Sequence, residues 1–125
     1  MAQLPGALAQ VAVTFHDVPR AAAWYRDVLG LPLLFETGGM AFFAMDSVRL
    51  MMTVPEREEF DHPASVLYFR VASIEAAHAE LLARGAAFDA APHPIGTMGA
   101  TAIWMAFFRD CEGHLLAITE ERPTS

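Results

Sequence analysis

The stretch AWYRDVLGLPLLF, residues 23–35, joins the end of one predicted helix to the start of one predicted strand. Its apolar side chains follow the helical period and predict a single apolar helix face: Trp24, Tyr25, Val28 and Leu29. Gly30 suits the left-handed position after a helix, and Pro32 prevents the helix from continuing. We therefore interpret the aromatic residues of this stretch as scaffold that packs on a sheet, and not as part of an active site.

The same order of elements occurs twice along the chain. The first copy is predicted to contain a strand, a helix and three more strands: 10–15, the helix after Asp17, and about 31–36, 40–45 and 48–54. The second copy repeats this order: 65–71, the helix after Ser73, and about 86–91, 101–108 and 114–120. An offset of 56 residues places Phe15 over Val71. This pattern predicts an internal duplication.

We expect one domain over residues 1–125, made of two modules at 8–54 and 64–120. The charged, proline-flanked stretch PEREEFDHP at 55–63 has no clear period, and we interpret it as the linker between them.

Composition favours a folded cytoplasmic protein. Hydrophobic residues make up 54% of the chain and charged residues 18%, which is typical of a globular domain. The net charge of −7 argues against binding to nucleic acid or to an anionic membrane surface. No apolar run approaches the roughly 20 residues that span a bilayer, and MAQLPGALAQ lacks the features of a signal peptide. The single cysteine, Cys111, cannot form an internal disulfide and fits a reducing compartment.

Three segments carry motifs in the order of a known family: VAVTFHDVPRAAAWYRDVLGLP, LYFRVASIEAAHAELLARGAAF and WMAFFRDCEGHLLAI. They resemble the vicinal oxygen chelate superfamily, which includes glyoxalase I, extradiol dioxygenases, bleomycin-resistance proteins and methylmalonyl-CoA epimerase. The resemblance implies an α+β fold, in which two βαβββ modules form a curved, cup-shaped mixed sheet with the helices on the outside. It also implies a homodimer, with modules that pair within one chain or between two chains.

In metal-dependent members of this family, four strand positions in the cup supply His or Gln, Glu, His and Glu. Matched by motif, these positions fall on Gln10, Met51, Val66 and Ala117. An amide oxygen alone is a poor metal ligand and Met51 offers only a soft thioether, while Val66 and Ala117 have no donor atom. The resemblance therefore implies that the inherited metal site is absent, and we expect neither metal nor cofactor.

His93 is a candidate for acid–base chemistry. Pro92 and Pro94 fix an extended backbone around it, and the segment leads into a strand that borders the cup. A histidine there can act as a general acid or base, or can hydrogen-bond a ligand. The alternative is a loop histidine held by its prolines. Cys111 lies between two acidic residues and lacks the electropositive setting of a reactive thiol.

Strand alternation extends the predicted lining of the cup. The predicted ligand-binding residues are Gln10, Met51, Val66, Tyr68, His93, Phe107 and Ala117. Arg49 and Arg70 face either the ligand or the sheet rim, and the sequence leaves both options open.

Such a concave, mostly apolar site suits a small organic ligand, and its aromatic walls favour an aromatic or amphiphilic one. We expect a metal-free protein that sequesters such a ligand as bleomycin-resistance proteins do, or that has an unassigned activity. The alternative is a glyoxalase- or dioxygenase-type enzyme. It would be metal-free with His93 as acid or base, or would use an unrecognised metal site.

Overall fold

The computed structural model describes residues 7–55, 57–62 and 65–124. The chain divides into two compact units between Ala64 and Ser65, here called module 1 and module 2. The module and linker boundaries expected from sequence stay predictions. Three of the positions that they include, 56, 63 and 64, lie outside the described residues.

Module 1 contains one helix and one four-stranded sheet. Its elements are β1 (Gln10–Thr14), α1 (Val18–Asp27), β2 (Leu33–Glu36), β3 (Met40–Met45) and β4 (Val48–Thr53). The strand order is β1-β4-β3-β2, with β1 parallel to β4 and the other pairs antiparallel. A short 3-10 helix at Glu58–Phe60 follows β4.

Module 2 repeats this architecture. Its elements are β5 (Leu67–Arg70), α2 (Ile74–Ala83), β6 (His93–Met98), β7 (Thr101–Arg109) and β8 (Leu115–Pro123). The strand order is β5-β8-β7-β6, with β5 parallel to β8. The helices α1 and α2 have ten residues each and start 56 positions apart, at Val18 and Ile74. The predicted α+β fold of two βαβββ modules is confirmed.

Helix α1 packs against one face of its sheet through an aromatic cluster. The carboxylate of Asp17 caps the helix by accepting a hydrogen bond from the Arg20 backbone N–H at 3.1 Å. Tyr25 is 1% exposed, and its ring centre lies 5.7 Å from that of Phe15 and 6.2 Å from that of Phe43. Tyr25 is thus part of the core, and the half-buried Trp24 packs edge to face against it, as the scaffold interpretation requires.

Glycine ends both helices. Gly30 and Gly85 follow α1 and α2 with φ angles of 75° and 96°, which favour a residue without a side chain. At the start of α2, the hydroxyl of Ser73 accepts a hydrogen bond from the Ala76 N–H at 3.3 Å, as its predicted capping role requires. Among the described residues, no helix combines the length and apolar character needed to cross a membrane.

The strand predicted at about 86–91 is wrong. In this segment Phe88 forms only an isolated bridge with Phe108, and its ring lies 4.5 Å from that of His78 and 4.9 Å from that of Phe108. Phe88 therefore fills space beside α2, and the strand itself begins later, at His93. Strand β6 lies at the edge of its sheet, a position that tolerates Pro94, which has no backbone N–H.

Candidate ligand-binding site

Each sheet has one face that packs against its helix and an opposite face, here called the open face. Residues directly paired across strands project to the same side, so the strand register assigns each side chain to a face. In module 1 the open face carries Gln10, Ala12, Thr14, Met40, Phe42, Arg49, Met51 and Thr53. The opposite face carries the buried residues Val13, Leu50 and Met52.

A pocket of about 320 Å³ lies on the open face of module 1. The strands contribute Ala12, Val13, Thr14, Met40, Met51 and Thr53 to its lining. The chain after β4 contributes Val54, Pro55, Phe60 and His62. Its lining is mostly apolar, and the hydroxyls of Thr14 and Thr53 and the His62 imidazole are its hydrogen-bonding side-chain groups.

The chain after β4 turns to the pocket because β4 cannot continue through Pro55, which has no N–H for a ladder. Two contacts fix the segment that follows. The Arg57 guanidinium lies 5.2 Å from the centre of the Phe60 ring, a cation–π distance. The His16 Nε2 atom lies 3.5 Å from an Asp61 carboxylate oxygen. Both contacts support the two pocket residues Phe60 and His62.

Sequence reasoning missed this part of the site. The stretch that contains Phe60 and His62 is charged and has no period, and it was therefore interpreted only as a linker. The single local signal was an aromatic residue among charged neighbours, which alone does not distinguish a pocket wall from a surface side chain.

Two of the predicted site residues meet in module 1. The Gln10 amide nitrogen lies 3.5 Å from the Met51 sulfur, and the Arg49 Nε donates a hydrogen bond to the Gln10 amide oxygen at 3.2 Å. Met51 lines the pocket, whereas Gln10 is not part of its lining. Both ends of the Gln10 amide are therefore engaged by neighbouring side chains.

Three more predicted residues meet on the open face of module 2. Ala117 of β8 pairs with Tyr68 on one side and with Phe107 on the other. The Tyr68 and Phe107 rings lie edge to face, with their centres 6.0 Å apart. Tyr68 is 49% exposed, whereas Ala117, which pairs with both residues, is fully buried. Val66 lies just before β5 and is half-buried.

His93 lies one row further along the same face. It pairs with Met105, which in turn pairs with Thr119 opposite Arg70. The His93 imidazole is exposed, and its Nδ1 lies 3.0 Å from the Ala91 carbonyl oxygen. Arg70 is exposed and pairs with a Glu121 carboxylate oxygen at 3.1 Å.

The residues at the four positions predicted from the family motif do not fit a divalent metal. Gln10 offers one amide oxygen, Met51 one thioether, and Val66 and Ala117 no donor. In the ranges that the structure describes, no three or more His, Cys, Asp or Glu side chains form a group that could hold a metal ion.

The chain belongs to the Glyoxalase/Bleomycin resistance protein/Dioxygenase superfamily, whose family model matches residues 7–118. This establishes the resemblance inferred from the sequence motifs. A comparison with curated proteins gave no match in sequence.

Solved structures show the same fold at low sequence identity. TnmS3, an antibiotic binding protein from Streptomyces sp. CB03234, superposes with a TM-score of 0.77 at 18% identity, covering 97% of this chain and 100% of that one. Lactoylglutathione lyase from Agrobacterium tumefaciens gives 0.74 at 21% identity, with 94% and 95% covered. TioX from Micromonospora sp. ML1 gives 0.72 at 20% identity, with 92% and 98% covered.

Proposed function

We propose that the protein binds a small organic molecule on the open face of a sheet without a metal ion, a sequestration function like that of bleomycin-resistance proteins. The observation that carries this proposal is the pocket of about 320 Å³ in module 1. Pockets for small molecules are mostly apolar, with a few polar groups that fix orientation, and their volumes are typically about 300–1,000 Å³. The pocket in module 1 has this character.

The relatives include a binding protein and an enzyme, and the chemistry of the four family positions favours the first. TnmS3 is an antibiotic binding protein, whereas the Agrobacterium protein is a lyase. Enzymes that polarise an oxygen with a divalent metal need nitrogen or oxygen ligands around it. Since Met51, Val66 and Ala117 offer none, binding is the better supported function for this chain.

We further propose a cytoplasmic homodimer, as expected from composition and from the family. Sedimentation velocity at micromolar concentration tests the assembly, and a stable monomer would contradict it.

A ligand screen in the absence of metal tests the proposed function. The chain is purified in EDTA, and a library of small organic compounds is screened by thermal shift. Calorimetry then measures the affinity and stoichiometry of each hit. We expect metal-independent ligands that bind with defined stoichiometry. Ligands that bind only after a divalent metal is added, or no ligand at all, would contradict the proposal.

His93→Ala separates binding from metal-free catalysis. A ligand in the pocket of module 1, which His93 does not line, should keep its affinity in His93→Ala, whereas a ligand that hydrogen-bonds to His93 on module 2 would lose about 1 kcal/mol. In an enzyme that uses His93 as general acid or base, the rate falls by roughly a hundredfold or more while binding is nearly unchanged. Turnover of a bound ligand is followed by mass spectrometry, with His78→Gln as the control for a histidine on α2.

A further inference from the structure

We infer that the pocket of module 1 selects a neutral aromatic molecule of one or two rings, held between Phe60 and the sulfur atoms of Met40 and Met51. The inference rests on the proposed function and names the ligand class of the same protein. Three properties of the pocket carry it: its volume, the chemistry of its side chains and the absence of charged side chains among the described residues that line it.

Volume limits the size of the ligand. The pocket holds about 320 Å³, the lower end of the range of about 300–1,000 Å³ that accommodates drug-sized molecules. A ring system of one or two six-membered rings fits this space together with a small substituent.

The walls favour an aromatic ring. Met40 and Met51 project from adjacent strands on the open face, and thioether sulfurs make favourable contacts with aromatic rings at about 5 Å. Phe60 contributes a second aromatic surface and is 42% exposed. The Arg57 guanidinium lies over this ring at 5.2 Å, so that a ligand ring would use the side of Phe60 that lines the pocket.

The lack of charged side chains among the described lining residues favours a neutral ligand. Among the described residues, the ten that line the pocket include no Asp, Glu, Lys or Arg, and His62 is the titratable residue of this set. Two nearby charged residues have partners: Arg57 pairs with Glu59 at 3.0 Å, and Asp61 lies 3.5 Å from His16. An ionised ligand would lose its hydration without gaining an opposite charge, which is costly. A hydroxyl or carbonyl group, in contrast, can hydrogen-bond to the groups already present.

Four bicyclic probes of similar size test the ligand class. They are 2-naphthol, which is neutral, 2-naphthoate, which is an anion, 2-(aminomethyl)naphthalene, which is a cation near neutral pH, and decahydro-2-naphthol, which is saturated. Calorimetry with the full chain measures each affinity. We expect 2-naphthol to bind at least about tenfold more tightly than either charged probe, since burial of an unpaired charge is unfavourable. The saturated alcohol should also bind more weakly, because it lacks a π face.

A matched pair of variants tests the location. Phe60→Leu keeps an apolar side chain but removes the ring, and should weaken 2-naphthol binding by about tenfold. Phe35→Leu is the control, because Phe35 is 57% exposed on β2 and does not line the pocket. Its affinity for 2-naphthol should equal that of the unaltered chain. Circular dichroism and thermal melting show whether both variants are folded.

Several results would overturn the inference: equal or tighter binding of a charged or saturated probe, no binding of 2-naphthol, or an unchanged affinity in Phe60→Leu. The compound library distinguishes this failure from that of the proposed function. If other library compounds bind without metal, the proposed function stands and only the ligand class is wrong. If neither 2-naphthol nor any library compound binds, both proposals are wrong.

Discussion

The two modules share one strand order, but the chain leaves their sheets in different ways. Thr53 of β4 and Thr119 of β8 are equivalent, since each is the last residue paired with the parallel strand of its module. β4 ends there, and the chain that follows contributes Phe60 and His62 to a pocket. β8 instead continues for four residues to Pro123, paired with β7. With the same strand order, the chain after the shared strand positions forms a pocket wall in module 1 and a longer last strand in module 2.

The additional residues of β8 secure the start of α2. The guanidinium of Arg122 hydrogen-bonds the carboxylates of Glu75 and Glu120, and lies 4.3 Å from the centre of the Trp104 ring. Glu120 also accepts a hydrogen bond from the Ile74 N–H at 2.7 Å. The equivalent chain in module 1 has left the sheet, and α1 is held through the aromatic cluster of Tyr25. Both helices bury apolar side chains, and module 2 adds the ion cluster of Arg122 at the start of its helix.

Truncation of a buried side chain in either helix should produce the largest loss of stability. Tyr25 and Leu81 are equivalent at the 56-residue offset and are 1% and 6% exposed. Tyr25→Ala should lower the free energy of unfolding by about 3–5 kcal/mol, because it removes a ring from an aromatic cluster. Leu81→Ala should cost about 2–3 kcal/mol. Urea denaturation measures both values, and a larger loss in Leu81→Ala would contradict the stronger role assigned to the aromatic anchor.

The ligand affinities of two variants, one in each module, show which open face the ligand occupies. Met51→Ala removes part of the pocket in module 1 and should weaken ligand binding by about 1–3 kcal/mol through lost apolar contact. Phe107→Ala alters the aromatic pair of module 2 and should leave the affinity unchanged. Calorimetry with a ligand from the screen measures both. The opposite ranking would show that the ligand uses the Tyr68 and Phe107 face. The sequence-based assignment, which places Met51 and Phe107 in one site, predicts that both substitutions weaken binding.

Acid should weaken the ion cluster of module 2. The hydrogen bonds from Arg122 lower the pKa of both Glu75 and Glu120 below the usual value of 4.5. A carboxyl group with a lowered pKa in the folded state stabilises the protein above its unfolded pKa, and this stabilisation is lost as the pH falls through the folded pKa. The melting temperature of Arg122→Gln should therefore be lower near neutral pH and should fall less on acidification below about pH 4.5.

Arg26→Gln is the matched control in module 1. Arg26 pairs with Asp27 at 2.8 Å and lowers the pKa of that carboxyl group, but both side chains are at least half exposed. Solvent screens such a pair, so its removal should change the melting temperature little at any pH. Equal effects of the two substitutions would contradict a special role for the Arg122 cluster.

Treatment with a metal chelator should change the melting temperature least. We expect no stoichiometric zinc, nickel, manganese or iron by elemental analysis, and EDTA should leave the melting temperature unchanged. The reason is the donor chemistry of Gln10, Met51, Val66 and Ala117. About one metal ion per chain, together with a lower melting temperature after chelation, would contradict this prediction.

Local signals identified most of the fold. The helix period around Tyr25, the caps at Asp17 and Ser73, and the glycine after each helix depend on residues within a few positions of one another. The segment at 86–91 was misinterpreted because its apolar residues suit either a strand or a packed loop. Only the long-range contact of Phe88 with His78 and Phe108 decides between these two structures.

The sequence by itself determined the duplicated βαβββ order and the family, since these depend on periodicity, capping residues and the order of motifs. Strand alternation also placed Met51 on the face that carries the pocket. Only the tertiary structure brought Phe60 and His62 to that pocket. Their segment has no repeating pattern, and its described residues make contacts with distant parts of the chain, such as that between Asp61 and His16, which are 45 residues apart. Such contacts arise from the folded arrangement of the chain and leave no local pattern in the sequence.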